Sequence, residues 1–357
     1  MLNRSTPRLL RAVLFPAAAL FITAGAKQPD NPAAMLDGDN NGDGLVAVCS
    51  LPHAGGVARF SPDGKHLALG ADDGTVRVAA TGAAREHRTL EQLSVVPGAT
   101  RTYSDHAKAI NDVDFHPRSP VLVSASADCT MRFFDYASGA PRASRQCTDT
   151  HAVHAVAFHP SGDHLLAATE HHAIHLYDAA TFRCYLAPQP SDHHLAPVAD
   201  ARWSADGSLF ASCGGDAIKV WDGVTNRCVR TIASAHLGAP VNTLCFGGGG
   251  RTLLSCGADS CVRQWDVGSG KLLRVFEGAQ QTRRTACCFS HDEALVLSSD
   301  EKTGELVAWE ASTGAQQARY AAHSMPVRWL AHSPVEAVAV SCGDDGLVHL
   351  WASAYLL

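Results

Sequence analysis

The sequence lacks the short motifs that mark the commoner metal and enzyme sites. None of its twelve cysteines forms a C-x-x-C pair, which argues against a structural zinc site. It also has no G-x-x-x-x-G-K-[ST], G-x-G-x-x-G, H-E-x-x-H or G-x-S-x-G, the patterns of nucleotide-binding loops, zinc peptidases and serine hydrolases. We therefore predict a protein with no catalytic residue, no cofactor and no metal ligand.

An excess of positive charge and a long hydrophobic run are missing as well. The chain carries 29 Lys and Arg against 35 Asp and Glu, a net charge of −6 with histidine neutral. No chain-wide basic field is present to hold nucleic acid, so we expect any contact with RNA to be indirect, through partner proteins. The apolar run over residues 12–22 is too short to span a bilayer comfortably, and no membrane partner is predicted.

The first 44 residues are unlike the rest of the chain. Three arginines, Arg4, Arg8 and Arg11, precede the apolar run, and small residues at 24–26 follow it. This order is typical of a signal or organelle-targeting peptide, although an upstream segment wrongly joined to the reading frame would look the same. Residues 27–44, rich in Asp, Asn, Gly and Pro, are predicted to be a flexible acidic linker.

The cysteines have the placement of core residues. Six of them lie inside apolar stretches, namely Cys213, Cys245, Cys256, Cys287, Cys288 and Cys342. We expect them to act as small buried apolar residues, which fits a reducing compartment.

What the sequence does contain is one pattern repeated seven times. Its most regular part is a six-residue stretch, which reads in order TVRVAA, TMRFFD, AIHLYD, AIKVWD, CVRQWD, ELVAWE and LVHLWA. The fifth residues of these stretches are Ala79, Phe134, Tyr177, Trp221, Trp265, Trp309 and Trp351. After a first interval of 55 residues they lie 43, 44, 44, 44 and 42 residues apart, which is the period of WD40 repeats.

Each copy predicts one four-stranded blade of a β-propeller. Short apolar strands alternate with Pro- and Gly-containing turns such as SPDG, and seven stacked blades would bury both faces of every sheet. We therefore predict an all-β, seven-bladed propeller over residues 45–357, with residues 45–50 as the outer strand of the last blade. The extra residues within 80–105 are predicted to form a surface loop with one short helix.

Histidine, serine and aspartate recur at fixed places in the copies, and this argues for a structural role. A histidine precedes the first strand at His53, His106, His151, His193 or His194, His236 and His323, and the turn aspartates are Asp73, Asp128, Asp216, Asp259 and Asp345. In the second copy we expect His106 to join Asp128 and a hydroxyl, Ser124 or Ser126, and we expect His151 to bond the turn aspartate of its own blade. The large side chains Trp221, Trp265, Trp309 and Trp351 are predicted to lie in the core.

Several stretches resemble one family more closely than the repeat requires. The run KVWDGVTNRCVRTIASAHLGAPVNTLCF and the shorter LYDAATFRCY are similar to the WD40 subunit of cleavage stimulation factor. The similarity extends in order over about residues 45–357 and includes the linkers between blades. Residues 1–44 do not resemble the helical dimerisation domain that precedes the propeller in that family.

The resemblance implies a non-enzymatic scaffold subunit of the nuclear complex that cleaves and polyadenylates pre-mRNA 3′ ends. Its implied partners are a scaffold subunit built of helical repeats, a subunit that carries an RNA-recognition motif, and RNA polymerase II. Propellers of this kind usually bind partners through the loops that lead into the first strands and the turns between the second and third. On that basis the predicted partner-binding residues are Asp72, Lys108, Ala127, Leu237, Met325 and Asp344.

Two other functions stay open from the sequence. A generic WD40 adaptor in another compartment would be delivered there by the N-terminal segment. An enzyme built on a propeller would need a metal or a nucleophile site, and no motif for either is present.

Overall fold

The computed structural model describes residues 45–53, 56–81, 95–282 and 285–353. In these ranges the chain forms strands and one 3-10 helix, Pro190–Asp192. The first strand, β1 (Leu45–Pro52), belongs to the last blade. The strands of the first four blades are β2 (Val57–Phe60), β3 (His66–Gly70), β4 (Val76–Thr81), β5 (Val95–Tyr103), β6 (Ile110–Phe115), β7 (Val121–Ser126), β8 (Thr130–Asp135), β9 (Arg145–Thr148), β10 (Val153–Phe158), β11 (His164–Thr169), β12 (His175–Asp178), β13 (Cys184–Tyr185), β14 (Val198–Trp203), β15 (Leu209–Gly214), β16 (Ala217–Asp222) and β17 (Cys228–Ile232). The remaining strands are β18 (Val241–Phe246), β19 (Thr252–Gly257), β20 (Val262–Asp266), β21 (Leu272–Phe276), β22 (Cys287–Phe289), β23 (Leu295–Ser299), β24 (Glu305–Glu310), β25 (Gln316–Ala321), β26 (Val327–His332), β27 (Val338–Gly343) and β28 (Leu347–Ser353).

These strands make seven antiparallel four-stranded sheets, which confirms the predicted seven-bladed propeller. Blades 1 to 6 are β2–β5, β6–β9, β10–β13, β14–β17, β18–β21 and β22–β25, in chain order. Blade 7 consists of β26, β27, β28 and β1, because β1 pairs antiparallel with β28. The prediction that residues 45–50 supply the outer strand of the last blade is therefore confirmed, and the pairing closes the ring without a long free strand edge.

The stretch that carries the extra residues also supplies a strand. Residues 95–103 form β5, which pairs with β4 as the fourth, outer strand of blade 1. The short helix and the N-terminal segment of residues 1–44 concern parts of the chain outside the described residues. No helix in the described ranges is long and apolar enough to cross a membrane.

The core lies between neighbouring blades. Apolar side chains of adjacent sheets pack together, and Trp221, Trp265, Trp309 and Trp351 are all buried there. Cys213, Cys256, Cys287, Cys288 and Cys342 are buried, and Cys245 is half-buried. Burial raises the pKa of the Cys288 thiol far above its usual range, so this thiol is uncharged at neutral pH.

The inner strands surround a central cavity of about 650 Å³. A shift in strand register falls just before Asp112 on β6 and just before Asp200 on β14. Such bulges re-aim the following side chain, and both buried carboxylates bond the next blade. Asp112 Oδ2 accepts from Val156 N at 3.1 Å and Asp200 Oδ2 accepts from Leu244 N at 2.9 Å, in each case one repeat further along the chain.

Candidate functional site

The loops of the propeller lie on two opposite faces. The upper face, as we call it, consists of the loops leading into the inner strands and the turns between the second and third strands of each blade. Backbone hydrogen bonds join the two sets, for example from Ala127 N to Ala109 O at 3.0 Å and from Asp344 N to Pro326 O at 2.9 Å. The lower face consists of the remaining turns, including residues 222–227 of blade 4.

Three of the predicted partner-binding residues are exposed large side chains on the upper face. Lys108 is exposed in the loop entering blade 2, Leu237 is 84% exposed in the loop entering blade 5, and Met325 is 50% exposed in the loop entering blade 7. Loops held against a rigid scaffold are where binding residues are usually found. The upper face therefore presents apolar side chains to solvent at fixed positions.

The three predicted residues beside the turns differ from one another. Asp72 is exposed, and Ala127 is half-buried. Asp344 is half-buried, and its Oδ1 lies 2.5 Å from Arg328 Nε. The Asp344 carboxylate raises the pKa of the Arg328 guanidinium, with smaller contributions from Asp72 and Glu301. This part of the face is thus an ion cluster rather than an unpaired acidic patch.

Sequence reasoning missed Leu195, which is fully exposed in the loop entering blade 4. Leu195 follows the repeat histidine His194 directly, as Leu237 follows His236. That shared position is a signal that could have identified it.

Leu237 is held in a backbone conformation that a leucine rarely adopts. Its φ is +54°, in the left-handed region, and Ser234, three residues earlier, has φ +50°. A bulky side chain there is strained by about 1–3 kcal/mol, and such strain is concentrated at binding sites. An exposed, strained leucine is therefore the best single marker of a binding role on this face.

The recurring histidine, serine and aspartate groups lie beneath the upper face. In blade 2, His106 Nδ1 lies 2.9 Å from Asp128 Oδ2 and His106 Nε2 lies 2.6 Å from Ser124 Oγ, while Ser126 Oγ donates to Lys108 O. The same arrangement occurs in blades 5 and 7, where the members are His236, Asp259 and Ser255, and His323, Asp345 and Ser341. In those two blades the tryptophans Trp265 and Trp351 also donate to the serine oxygen, at 2.8 and 2.9 Å.

Hydrogen bonds and burial shift the pKa values of these groups. Burial alone would raise the pKa of Asp128, but hydrogen bonds from Thr130, Ala107 and His106 hold it at about 2. Burial lowers the pKa of His106 by more than the neighbouring Asp128 raises it. With both ring nitrogens bonded and Ser124 buried, the triad has no free nucleophile and acts as an internal brace.

Blade 3 differs from the prediction made for His151. Counted back from the aromatic residue that ends the inner strand, the place of His106 is taken by Asp149, and His151 lies two residues later. Asp149 Oδ2 lies 2.6 Å from His175 Nδ1 and accepts from the Tyr177 hydroxyl at 2.5 Å. The expectation that His151 bonds a turn aspartate was therefore wrong, because its Nδ1 lies 2.8 Å from Thr150 Oγ1 instead.

Blades 4 and 6 contain only part of this hydrogen-bonding arrangement. In blade 4 it is His194, not His193, that binds Ser212 Oγ, at 2.7 Å, and Asp216 is not among its partners in the described part of the chain. In blade 6, Gln281 takes the histidine's place and donates to Ser298 Oγ at 2.6 Å, while Trp309 Nε1 donates to Glu277 O at 2.9 Å.

The buried His194 predicts a measurable pH dependence. Burial, followed by the charge of Lys219, lowers its pKa from 6.5 to about 3. Its contribution to stability is therefore present above pH 6.5 and is lost as the pH falls towards 3, at about 1.4 kcal/mol per pH unit. Gln281 binds the equivalent serine in blade 6, so His194→Gln should fold. It should reduce the loss of unfolding free energy between pH 7 and pH 5 by up to about 2 kcal/mol, because glutamine does not titrate.

Urea denaturation at the two pH values measures this difference. The exposed His172 provides the control, since His172→Gln should leave the loss unchanged. Equal losses for wild type and His194→Gln would contradict the assignment.

Comparison with known proteins identifies the repeat family in six segments of the chain. The sequence profile of the family described as "WD domain, G-beta repeat" matches residues 45–78, 98–135, 143–178, 189–222, 226–266 and 314–352. Cleavage stimulation factor subunit 50 of Arabidopsis thaliana is 38% identical over 305 residues, which cover 82% of this chain and 69% of that protein. The U3 small nucleolar RNA-associated protein 15 homolog of Xenopus tropicalis is 28% identical over 62% of this chain, and nuclear distribution protein PAC1 of Arthroderma benhamiae is 32% identical over 53%. These matches span 39% and 42% of the two latter proteins.

Proposed function

Because the chain belongs to the WD40-repeat proteins of the cleavage stimulation factor subunit 50 family, we propose that it is a non-enzymatic assembly subunit in mRNA 3′-end cleavage and polyadenylation. The observation that carries this proposal is the 38% identity over 82% of the chain. An alignment of 305 residues extends beyond the six segments that the repeat profile matches.

The geometry supports a binding role rather than a catalytic one. The Ser–His–Asp groups of blades 2, 5 and 7 are used within their own blades, as braces for the loops above them. Above the braces, Leu195, Leu237 and Met325 are exposed on three blades of the same face. Exposed apolar side chains on well-ordered loops are suited to docking a protein partner.

We propose that the partners on this face are the other subunits of cleavage stimulation factor. They would be the scaffold subunit built of helical repeats and the subunit carrying an RNA-recognition motif, with RNA polymerase II as a further contact. The net charge of −6 supports an indirect connection to RNA through these proteins. Function in this complex would place the protein in the nucleus.

A WD40 adaptor of another compartment is the second candidate. It is favoured by one observation, the signal-like order of arginines and apolar residues over residues 4–26.

Affinity purification tests the two candidates directly. The full chain with a C-terminal tag would be expressed in cells that contain an intact cleavage stimulation factor, and co-purifying proteins identified by mass spectrometry. Recovery of the helical-repeat and RNA-recognition subunits from the nuclear fraction is the expected result. A clean preparation that lacks both, recovered outside the nucleus, would favour the second candidate.

Leu237→Gly separates partner binding from folding. Glycine relieves the left-handed strain at residue 237, so the free energy of unfolding should stay the same or rise by about 1 kcal/mol. Loss of the exposed leucine should nevertheless reduce recovery of the partner subunits several-fold, measured by quantitative mass spectrometry.

Val224→Gly is the matched control for that variant. Val224 is 90% exposed, comparable with Leu237, but lies in a turn of the lower face. Its truncation should leave partner recovery unchanged. An equal effect of the two variants would argue against the upper face as the docking surface.

A further inference from the structure

Five histidines lie side by side on the upper face of blade 3 and the start of blade 4. They are His151, His171, His172, His175 and His193. The ring centroids of His171 and His172 are 4.1 Å apart, those of His151 and His171 5.1 Å, those of His171 and His175 5.8 Å, and those of His172 and His193 5.6 Å. Three separate segments of the chain supply them, and we call the group the histidine cluster.

The repeat pattern does not account for this cluster. In blades 2, 5 and 7 the brace uses one histidine, whereas in blade 3 an aspartate, Asp149, holds that place. His171 stands where blades 1, 2, 5 and 7 have the turn aspartate, and His151 where blade 2 has Lys108. The backbone holds these loops together, since His194 N donates to His172 O at 3.0 Å and Val198 N to His171 O at 3.2 Å.

We propose that His151, His171 and His175 bind a transition-metal ion such as Zn²⁺ on the upper face, with Asp149 as the positioning residue behind His175. Imidazole nitrogens suit Zn²⁺, and three protein ligands with water in the fourth position make a tetrahedral site. This proposal does not depend on the proposed function.

The ring spacings match such a site. Two imidazoles that share one tetrahedral zinc ion, with Zn–N bonds of about 2.0–2.1 Å, have ring centroids roughly 5 Å apart. The His151–His171 and His171–His175 pairs, at 5.1 and 5.8 Å, are close to that separation. His175 is buried and held by Asp149, so the half-buried His151 and His171 would have to rotate to bring their nitrogens onto a common point with His175 Nε2.

In His175 and His151, Nδ1 is already hydrogen-bonded and Nε2 is left to bind a metal. His175 Nδ1 lies 2.6 Å from the buried carboxylate of Asp149, so the proton is held on Nδ1 and the Nε2 lone pair points elsewhere. A carboxylate behind a metal-binding histidine is a common second partner in zinc sites. His151 Nδ1 is bonded to Thr150 Oγ1 at 2.8 Å in a similar way.

His171 must give up one weak contact to take part. Its Nδ1 accepts from Ala173 N at 3.2 Å, and binding a metal through Nε2 would move the ring proton to Nδ1.

In the described part of the chain, the group whose ligand atoms already lie within 4.8 Å of one another is a different one, His323, Asp345 and His349. It is a poorer candidate, because His323 already bonds Asp345 through Nδ1 and Ser341 through Nε2. Ser341 in turn accepts from Trp351, so metal binding there would break the blade 7 brace.

Metal titration of the full, untagged chain tests the proposal. After chelator treatment, Zn²⁺ would be titrated by calorimetry and Co²⁺ by visible absorption, which reports tetrahedral coordination. We expect one ion per chain, bound at least about tenfold more weakly by His151→Gln and by His171→Gln. His164→Gln, on the same blade but at the lower end of β11, should bind like wild type.

Asp149→Asn tests the positioning role separately. It keeps the three ligands and should weaken Zn²⁺ by about 10- to 100-fold while leaving one ion per chain, in a protein shown to be folded by circular dichroism. No stoichiometric binding by the wild type would overturn the proposal. So would binding that survives the combined His151→Gln and His171→Gln substitutions, or binding that is lost in His349→Gln.

Discussion

Replacing Trp221 with alanine is expected to lower the free energy of unfolding by about 3–5 kcal/mol. The indole is completely buried and stacks on Phe210, with ring centroids 5.5 Å apart and planes 5° from parallel. Alanine would leave a cavity between two blades, because the surrounding strands are fixed by their own hydrogen bonds. Urea denaturation followed by circular dichroism measures the loss.

Part of that loss comes from the brace of blade 4. Trp221 Nε1 donates to Ser212 Oγ at 2.8 Å, and the same oxygen lies 2.7 Å from His194 Nε2. Without the indole, the buried hydroxyl keeps one partner of two, which costs about 1 kcal/mol.

Trp221→Phe is the matched control, because Phe134 fills the equivalent place in blade 2. Phenylalanine keeps most of the stacked ring and loses the N–H donor, so a loss of about 1–2 kcal/mol is expected. If the two variants were equally unstable, the hydrogen bond rather than ring packing would be the dominant contribution, contrary to this prediction.

The fold could be predicted from the sequence because its determinants are local and repeated. Trp221 and Trp265 stand 44 residues apart in the same six-residue pattern, and each copy carries its own turns. A copy that departs from the pattern is still identified by its spacing from the others, as in blade 1, where Ala79 replaces the aromatic residue. The closing strand β1 was predictable for the same reason, since blade 7 otherwise had three strands.

The blade 3 brace shows where pattern matching alone is insufficient. His151 is the first histidine upstream of the inner strand, but the loop positions it two residues beyond the place of His106. A count anchored on Phe115 and Phe158, which end the equivalent strands, would have selected Asp149. Whether a residue takes part in a brace depends more on its distance along the chain from the inner strand than on its residue type.

The histidine cluster and the ion pairs of Arg202 with Asp112 and Asp200 could not be predicted from local patterns. The cluster combines segments around residues 151, 171–175 and 193, which become neighbours only when blades 3 and 4 stack. Arg202 and Asp112 are 90 residues apart, and they meet only because both inner strands face the same cavity. Contacts of this kind follow from the closed ring and have no signal in either segment.

Arg202→Met is expected to cost about 3–5 kcal/mol of unfolding free energy. The buried guanidinium lies 2.8 Å from Asp112 Oδ2 and 3.0 Å from Asp200 Oδ1, and it also donates to Val156 O at 3.1 Å. It therefore joins blades 2, 3 and 4. Burial opposes its charge, yet Asp112 and Asp200 together raise its pKa above the ordinary value, so it is always positive. Methionine fills similar space but removes the ion pair of Asp200 and leaves Asp112 with the longer contact to Arg59, whose Nη2 lies 3.4 Å from Asp112 Oδ1.

The loss should depend on pH in a definite direction. Burial already raises the pKa of the neighbouring Asp114, and the charge of Arg202 is among those that hold it down, so removal of Arg202 should raise this pKa further. An acid whose pKa is raised in the folded state destabilises the protein at high pH and less so as it becomes protonated. The difference between variant and wild type should therefore be smaller at pH 5 than at pH 8 in urea denaturation.

An exposed ion pair gives the control for this experiment. Arg227 Nε lies 2.9 Å from Asp192 Oδ2, and the arginine side chain is about half exposed, so Arg227→Met should cost at most about 1 kcal/mol. Adding Asp112→Asn and Asp200→Asn to Arg202→Met should recover part of the lost stability, because two buried negative charges are removed. A loss for Arg202→Met no greater than that for Arg227→Met would mean that water reaches the network through the central cavity and screens it. Arg202 would then contribute little to the joining of blades 2, 3 and 4.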